Sequence, residues 1–270
     1  MAASVYPTYL SPGTARVEVN EAGRFTVLIN ATDIGTGART ALLQLASEAL
    51  DVPVDRVTVR IGDTDLPPAG LAGGSMGTAS WGWPVVKAAG QLLERLAEHP
   101  GGIPAGGLSV TASTRDEVKG LKDLSRHAFG AQFVEARVNA VTGELRVPRM
   151  VGVFAAGRIV NARTARSQFI GGMTMGLSMA LHEEGVMDAQ FGDYANHDLA
   201  GYHIATCADV GDIDVSWIEE RDPELNGTGT KGIGEIGIVG TAAAVANAVH
   251  HATGVRVRDL PIHLEDVLGR

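Results

Sequence analysis

A single cysteine, Cys207, stands among 270 residues. One thiol excludes an internal disulfide and any iron–sulfur cluster held by this chain alone, because such clusters need several thiolates. Positive charge is also short: 22 Lys and Arg against 31 Asp and Glu leave a net charge of −9 and a pI near 5.3. That balance argues against nucleic acid or an anionic membrane surface as the main partner. No apolar run is long enough to span a bilayer, and Met1 to Gly13 has neither the basic start nor the apolar core of a signal peptide. His182, His197, His203, His250 and His251 show no paired metal-ligand spacing, so no protein ligand to a metal is expected.

Glycine is what the chain has in excess. Its 35 glycines are nearly twice the average usage of roughly 7%, which implies many tight loops and suits a protein that wraps an extended ligand. With 45% hydrophobic and 20% charged residues, the chain can bury one large core or two smaller ones.

Periodicity gives two similar halves. Val17, Val19, Phe25, Val27 and Ile29 alternate around Glu21-Ala22-Gly23 and predict a β-hairpin. A glycine turn at Gly35 to Gly37 then feeds a helix through Leu42, Leu45, Ala46, Ala49 and Leu50. Val57, Val59 and Ile61 predict a short strand, Gly70 to Ser80 a glycine loop, and Val85 to about Glu98 a helix, before Pro100 to Gly107 breaks the pattern as a linker. The order then recurs: a hairpin at Phe133–Val138 and Leu145–Val153, a helix from about Ala165 to Glu183, a strand through Ile213, Val215 and Trp217, a glycine loop and a final helix. The expected fold is α+β, two similar two-layer repeats (hairpin, helix, strand, helix) with mixed sheets, divided as residues 1–107 and 108–270, and an ancient duplication is the economical reading.

The loop before the last helix is the most informative stretch. Thr228-Gly229-Thr230-Lys231-Gly232-Ile233-Gly234-Glu235-Ile236-Gly237-Ile238-Val239-Gly240 holds five glycines from Gly229 onward, which permit positive φ and close approach to a ligand. A loop of this kind running into a helix offers free N–H groups to an anion such as a phosphate. Glu235 stands out within it: desolvation by Ile233, Ile236 and Ile238 is expected to raise its pKa toward the range of a useful general base. The alternative is that Glu235 sits in the first turn of the helix, where a carboxylate favours the macrodipole. Lys231 is not part of a nucleotide P-loop, because Gly rather than Ser or Thr follows it.

These segments resemble the C-terminal end of the molybdenum-binding large subunit of the xanthine dehydrogenase/aldehyde oxidase family. The resemblance is carried by Lys231-Gly-Ile-Gly-Glu235-Ile-Gly and by Ala252-Thr-Gly254 through Pro261-Ile262, and by Thr32-Asp33-Ile34-Gly35-Thr36-Gly37, Gly62-Asp63-Thr64-Asp65-Leu66-Pro67-Pro68, Gly73-Gly74-Ser75 to Ser80 and Thr164 to Gln168 in the family's order. It implies that Glu235 is the catalytic base. It also implies that Gly35, Thr36, Gly37, Thr40, Gly74, Ser75, Thr78, Ala79, Ser80, Gln168, Lys231, Gly232 and Gly234 bind the cofactor, a molybdenum molybdopterin cytosine dinucleotide whose pterin holds the metal. Many family members carry Gln where Thr36 stands, so the contacts implied there are those of the backbone; Thr36, Thr40 and Ser75 are otherwise readable as helix caps. The resemblance further implies oxidation of an aldehyde, with an N-heterocycle or purine as the alternative. Partners would be the N-terminal half of the molybdenum subunit, an iron–sulfur (2Fe-2S) subunit and an FAD subunit, in the cytoplasm or in the periplasm if exported with a partner. Met1 falls inside the large subunit on this alignment, so the chain is expected to be its C-terminal portion, and a non-catalytic cofactor-binding fragment is the remaining reading.

Overall fold

The chain runs β1 (Ala2–Pro7), β2 (Thr14–Val19), β3 (Phe25–Leu28), α1 (Ala38–Leu50), β4 (Val57–Arg60), α2 (Gly77–Ala97), β5 (Leu108–Ser113), α3 (Arg115–Gly120), β6 (His127–Val138), β7 (Leu145–Ala155), α4 (Ala162–Leu181), β8 (Met187–Asp188), β9 (Asp193–Tyr194), β10 (Asp212–Trp217), α5 (Thr241–Thr253) and α6 (Leu264–Val267). This is the computed structural model of the protein, and it describes residues 1–222 and 224–268.

Two four-stranded mixed sheets carry the architecture, ordered β4-β3-β2-β5 and β1-β6-β7-β10. In each, an antiparallel hairpin (β2 with β3, β6 with β7) gains a parallel strand (β4 beside β3, β10 beside β7) after a crossover helix. In the first sheet, alternation places Ala15, Val17, Val19, Val27 and Val59 against α1 and α2, which supply Leu42, Ala46, Val85, Ala89 and Leu92. In the second, Met150, Phe154 and Val215 meet Phe169, Met173 and Leu177 of α4 and Val245 and Val249 of α5. Phe154 and Phe169 stack at 4.4 Å with planes 2° apart. Each fully buried Leu or Phe stabilises its layer by roughly 1.5–3 kcal/mol.

The elements correct the expected boundaries. β5 lies beyond residue 107 yet pairs with β2 of the first sheet, whereas β1 pairs with β6 of the second. The two sheets therefore do not divide at 107, because short edge strands are recruited from across the linker. Thr78, Ala79 and Ser80 are not loop residues but the first turn of α2. β1 shows no alternating apolar pattern; β5 does, with Leu108, Val110 and Ala112 toward the core and Ser109, Thr111 and Ser113 away from it, although no strand was expected just after the linker.

Candidate functional site

A cavity of about 340 Å³ lies between the halves, in the range of small-molecule sites. Its wall brings together Thr36 and Ala38 at the start of α1, Gly73 to Ser75, Gly77 and Thr78 at the start of α2, Asn161, Thr164 and Gln168 at the start of α4, and Thr230, Lys231, Gly234 and Glu235 from the loop before α5. The three helix beginnings differ in how their N–H groups are satisfied. Asp33 accepts from the N–H of Gly35, Gly37 and Arg39 before α1. Asn161 Oδ1 accepts from Arg163 and Thr164 at α4. α2 begins without a side-chain cap, leaving the N–H groups of its first turn to the cavity. Of the helix starts on this wall, that of α2 is the one no side chain caps, with Gly77 and Thr78 of its first turn on the cavity.

The final helix does not play that part. Its N-cap Gly240 is packed so closely that a Cβ there would come within 2.1 Å of Gln132 Oε1. Thr241, fully buried, donates its hydroxyl to Gly237 O at 2.8 Å. Of the five glycines in this loop only Gly229 has positive φ; Gly232, Gly237 and Gly240 serve close packing instead, with the Cβ position of Gly232 2.8 Å from Ser75 Cβ.

Glu235 lies six positions ahead of α5's first residue, outside its first turn. The half-buried carboxylate accepts the hydroxyl of Ser75 from the other half of the molecule. Ser75 is one of two non-glycine residues with positive φ among those described, at 56°, a conformation that costs about 1–2 kcal/mol for an L-residue and recurs at functional sites. Tyr6 of β1 stands beside the carboxylate, and burial together with Glu235 pushes its phenol up to about 12. The apolar shell expected around Glu235 is therefore replaced by a hydroxyl and a phenol, while Ile236 turns into the second core.

Lys231 also departs from expectation. Its side chain reaches the cavity wall, but Nζ donates to Glu220 Oε1 at 2.5 Å and stands 5.9 Å from the Phe129 ring. Glu220 Oε2 in turn accepts the Gly157 N–H at 3.0 Å, so the ammonium is engaged in holding two loops together. Of the sequence candidates, Thr36, Gly74, Ser75, Thr78, Gln168, Lys231, Gly234 and Glu235 line the cavity, and Gly35, Gly37, Thr40, Ala79, Ser80 and Gly232 do not. Gly37 is the αL N-cap of α1, pressed on Thr164, and Ser80 Oγ accepts the Ser11 N–H at 3.0 Å. Burial beneath the first turn of α2 removes Ala79 from the wall, and Thr40 faces outward.

Trp81, Arg158, Asn161, Thr164 and Tyr6 were missed. Asn161 carried a readable signal, an Asn just before an apolar helical pattern; Arg158 and Tyr6 carried none. Arg158 bridges to Glu48 and Asn161 Nδ2 donates to Gln44 Oε1 at 2.8 Å, so both also join the halves. Among the described residues no group of three His, Cys, Asp or Glu side chains is placed to hold a metal ion.

The profile of the molybdopterin cofactor-binding domain matches residues 1–114 and 101–211. The aldehyde oxidoreductase molybdenum-binding subunit PaoC of Escherichia coli is 40% identical over all of this chain and 40% of its own length. A putative xanthine dehydrogenase molybdenum-binding subunit of the same organism is 28% identical over 96% of the chain and 39% of its own. Among solved structures, the aldehyde oxidoreductase of Desulfovibrio desulfuricans is similar with a TM-score of 0.83 at 26% identity, over 99% of this chain and 32% of that one. The fold is shared with a Cu,Mo-CO dehydrogenase, TM-score 0.81 at 18% identity over 94% of this chain and 38% of that one. The chain spans about two fifths of the length of the curated relatives it matches. The profile match, the identity to PaoC and the cavity-lining motifs agree, and the chain belongs to the molybdopterin cofactor-binding domain family.

Proposed function

We propose that this chain is the C-terminal, base-bearing part of a molybdenum hydroxylase subunit that oxidises aldehydes to carboxylic acids with oxygen drawn from water. The observation that carries this reading is the placement of Glu235 on the cavity wall, its carboxylate held by Ser75 from the opposite half. The cavity suits a pterin: Gly73, Gly74, Gly77 and Gly234 leave its wall without side chains, Gln168 offers both a donor and an acceptor, and the open start of α2 faces it with N–H groups suited to a phosphate. When bound, the molybdenum centre would supply two-electron redox chemistry. Glu235 would act as general base toward the oxygen nucleophile, Ser75 would hold its carboxylate in one orientation, and Ile34, Trp81 and Ile233 would keep water from the wall they line. An aldehyde is favoured over a heterocycle because the relative named for aldehyde oxidation is 40% identical and the one named for xanthine 28%. The pterin is read as the cytosine dinucleotide form, with 2Fe-2S and FAD centres on partner subunits and the N-terminal half of the subunit as the immediate neighbour.

The test is molybdenum and cytidine-nucleotide analysis of the chain produced together with its partner subunits, followed by assay with aldehydes. Near-stoichiometric metal in both wild type and Glu235→Ala, with aldehyde oxidation reduced by roughly 10²–10⁴-fold in the variant, is the expected result. Absence of molybdenum from the wild-type complex would overturn the reading.

A further inference from the structure

Helix α4 has the composition of an element enclosed on every side. From Ser167 to Leu181 it carries no charged residue, and a helix apolar all round is normally buried all round. One strip of it is not: Met175 is 62% and Met179 37% exposed, with exposed Gly171 one turn earlier. These three continue, at steps of three and four residues, the face that begins with Thr164 and Gln168 on the cavity wall. A single helix face therefore passes from the cavity to an uncovered apolar strip. The corresponding helix of the first half, α1, instead exposes Arg39, Thr40 and Glu48.

We propose that the Gly171–Met175–Met179 strip seats the rest of the molybdenum subunit, the polypeptide that makes up the three fifths of PaoC lying outside the match to this chain. Continuity with the cavity argues for that occupant, since the body that closes a cavity bounded by α4 meets the same helix face further along. Methionine suits the contact, being flexible enough to fit an irregular apolar partner. A lipid surface fits less well, because the chain carries a net charge of −9 and no helix among the described residues is long and apolar enough to cross a membrane. The proposal rests on reading the chain as the C-terminal part of such a subunit.

The test reads association rather than activity. This chain is produced together with the unmatched three fifths of Escherichia coli PaoC, and complexes are sized and titrated by analytical ultracentrifugation. A one-to-one complex is expected for the wild type, and binding weaker by at least about tenfold for Met175→Glu/Met179→Glu, where docking would bury unpaired carboxylates. Met175→Glu alone, at the more exposed of the two positions, should leave the melting of the isolated chain unchanged and still weaken binding, and Thr111→Glu on the polar face of the first sheet should bind as the wild type does. The proposal is overturned if the wild type remains alone, if the charged variant binds equally, or if the strip instead joins two copies of this chain in a dimer that the variant breaks. Molybdenum is measured separately, so a complex that forms without the metal counts against the proposed function and leaves this surface standing.

Discussion

The two halves are built on one plan and finished differently. On the first sheet, the face turned away from α1 and α2 carries Thr14, Arg16, Glu18, Thr26, Thr58, Arg60, Ser109, Thr111 and Ser113. On the second, the corresponding face is apolar over much of β1, β6 and β7, with Val5, Phe129, Ala131, Phe133, Val151 and Val153 and Phe129 still 51% exposed, and turns polar at Glu135 and Arg149 and along β10, with Asp212, Asp214 and Ser216. An antiparallel hairpin with one wet face alternates apolar and polar residues, as the first does; strands apolar on both faces belong to sheets covered on both. The second half adds to this the apolar strip of α4. Equal topology thus conceals unequal surroundings: the first half is finished with its own polar skin, and the second presents apolar area of a kind usually reserved for contact with other polypeptide.

The largest expected effect probes the two cores against each other. Phe169→Ala removes one ring of the Phe154–Phe169 stack at a fully buried site and should destabilise the second half by about 3–5 kcal/mol in urea titration. Leu42→Ala, equally buried in the core of the first half, should cost about 2–4 kcal/mol. Equal losses, or a single transition that shifts alike for both variants, would break the distinction between two separately built cores.

Next in size is the pairing that locks the loop carrying Glu235. The Lys231 side chain is only 3% exposed and its partner Glu220 27%, so Glu220→Ala leaves a buried ammonium with no carboxylate and should cost about 2–4 kcal/mol. Arg158→Ala, which removes an ion pair to the exposed Glu48 across the halves, should cost less than about 1 kcal/mol. Thermal melts of the two variants sharpen the comparison between a buried clamp inside one half and a surface bridge between both.

The smallest effect concerns how helices begin. α1 is served by the charged Asp33 and α4 by the neutral Asn161. Burial alone would raise the Asp33 carboxyl, but the backbone N–H groups of Arg39, Gly35 and Gly37 together hold it below the usual carboxylate range. A carboxyl depressed on folding adds stability that is complete above its unfolded value near 3.9 and is lost as pH falls through the lower folded value. Asp33→Asn should therefore cost about 0.5–1 kcal/mol at neutral pH and leave acid unfolding shallower below about pH 4. An unchanged acid limb would show that the α1 end behaves like the neutral α4 end.

Much of this was legible before the fold. The period-two runs of β2, β3, β6 and β7 and the period-3.6 runs of α1 and α4 report local burial, and local burial is written in local sequence. Glu235, Gln168, Ser75 and Thr78 could be singled out because a run of motifs resembled one family. The edge strand β1 was not legible, because few of its side chains point inward and its partner β6 lies over a hundred residues away; β5 carries a readable alternation at Leu108, Val110 and Ala112, but its pairing with the distant β2 was not legible. Tyr6 and Glu220 were missed for the same reason: each matters through a contact with the Glu235 loop that only packing creates.

By itself the sequence determined the repeating hairpin, helix and strand order and the glycine loops, since hydrophobic period and backbone freedom are properties of neighbouring residues. The tertiary structure alone decided which helix start stays open to the cavity, which glycines bend the chain and which merely admit a neighbour, and that Ser75 from one half holds Glu235 of the other. Such outcomes depend on distances between segments far apart in the chain, and no local pattern encodes a distance of that kind.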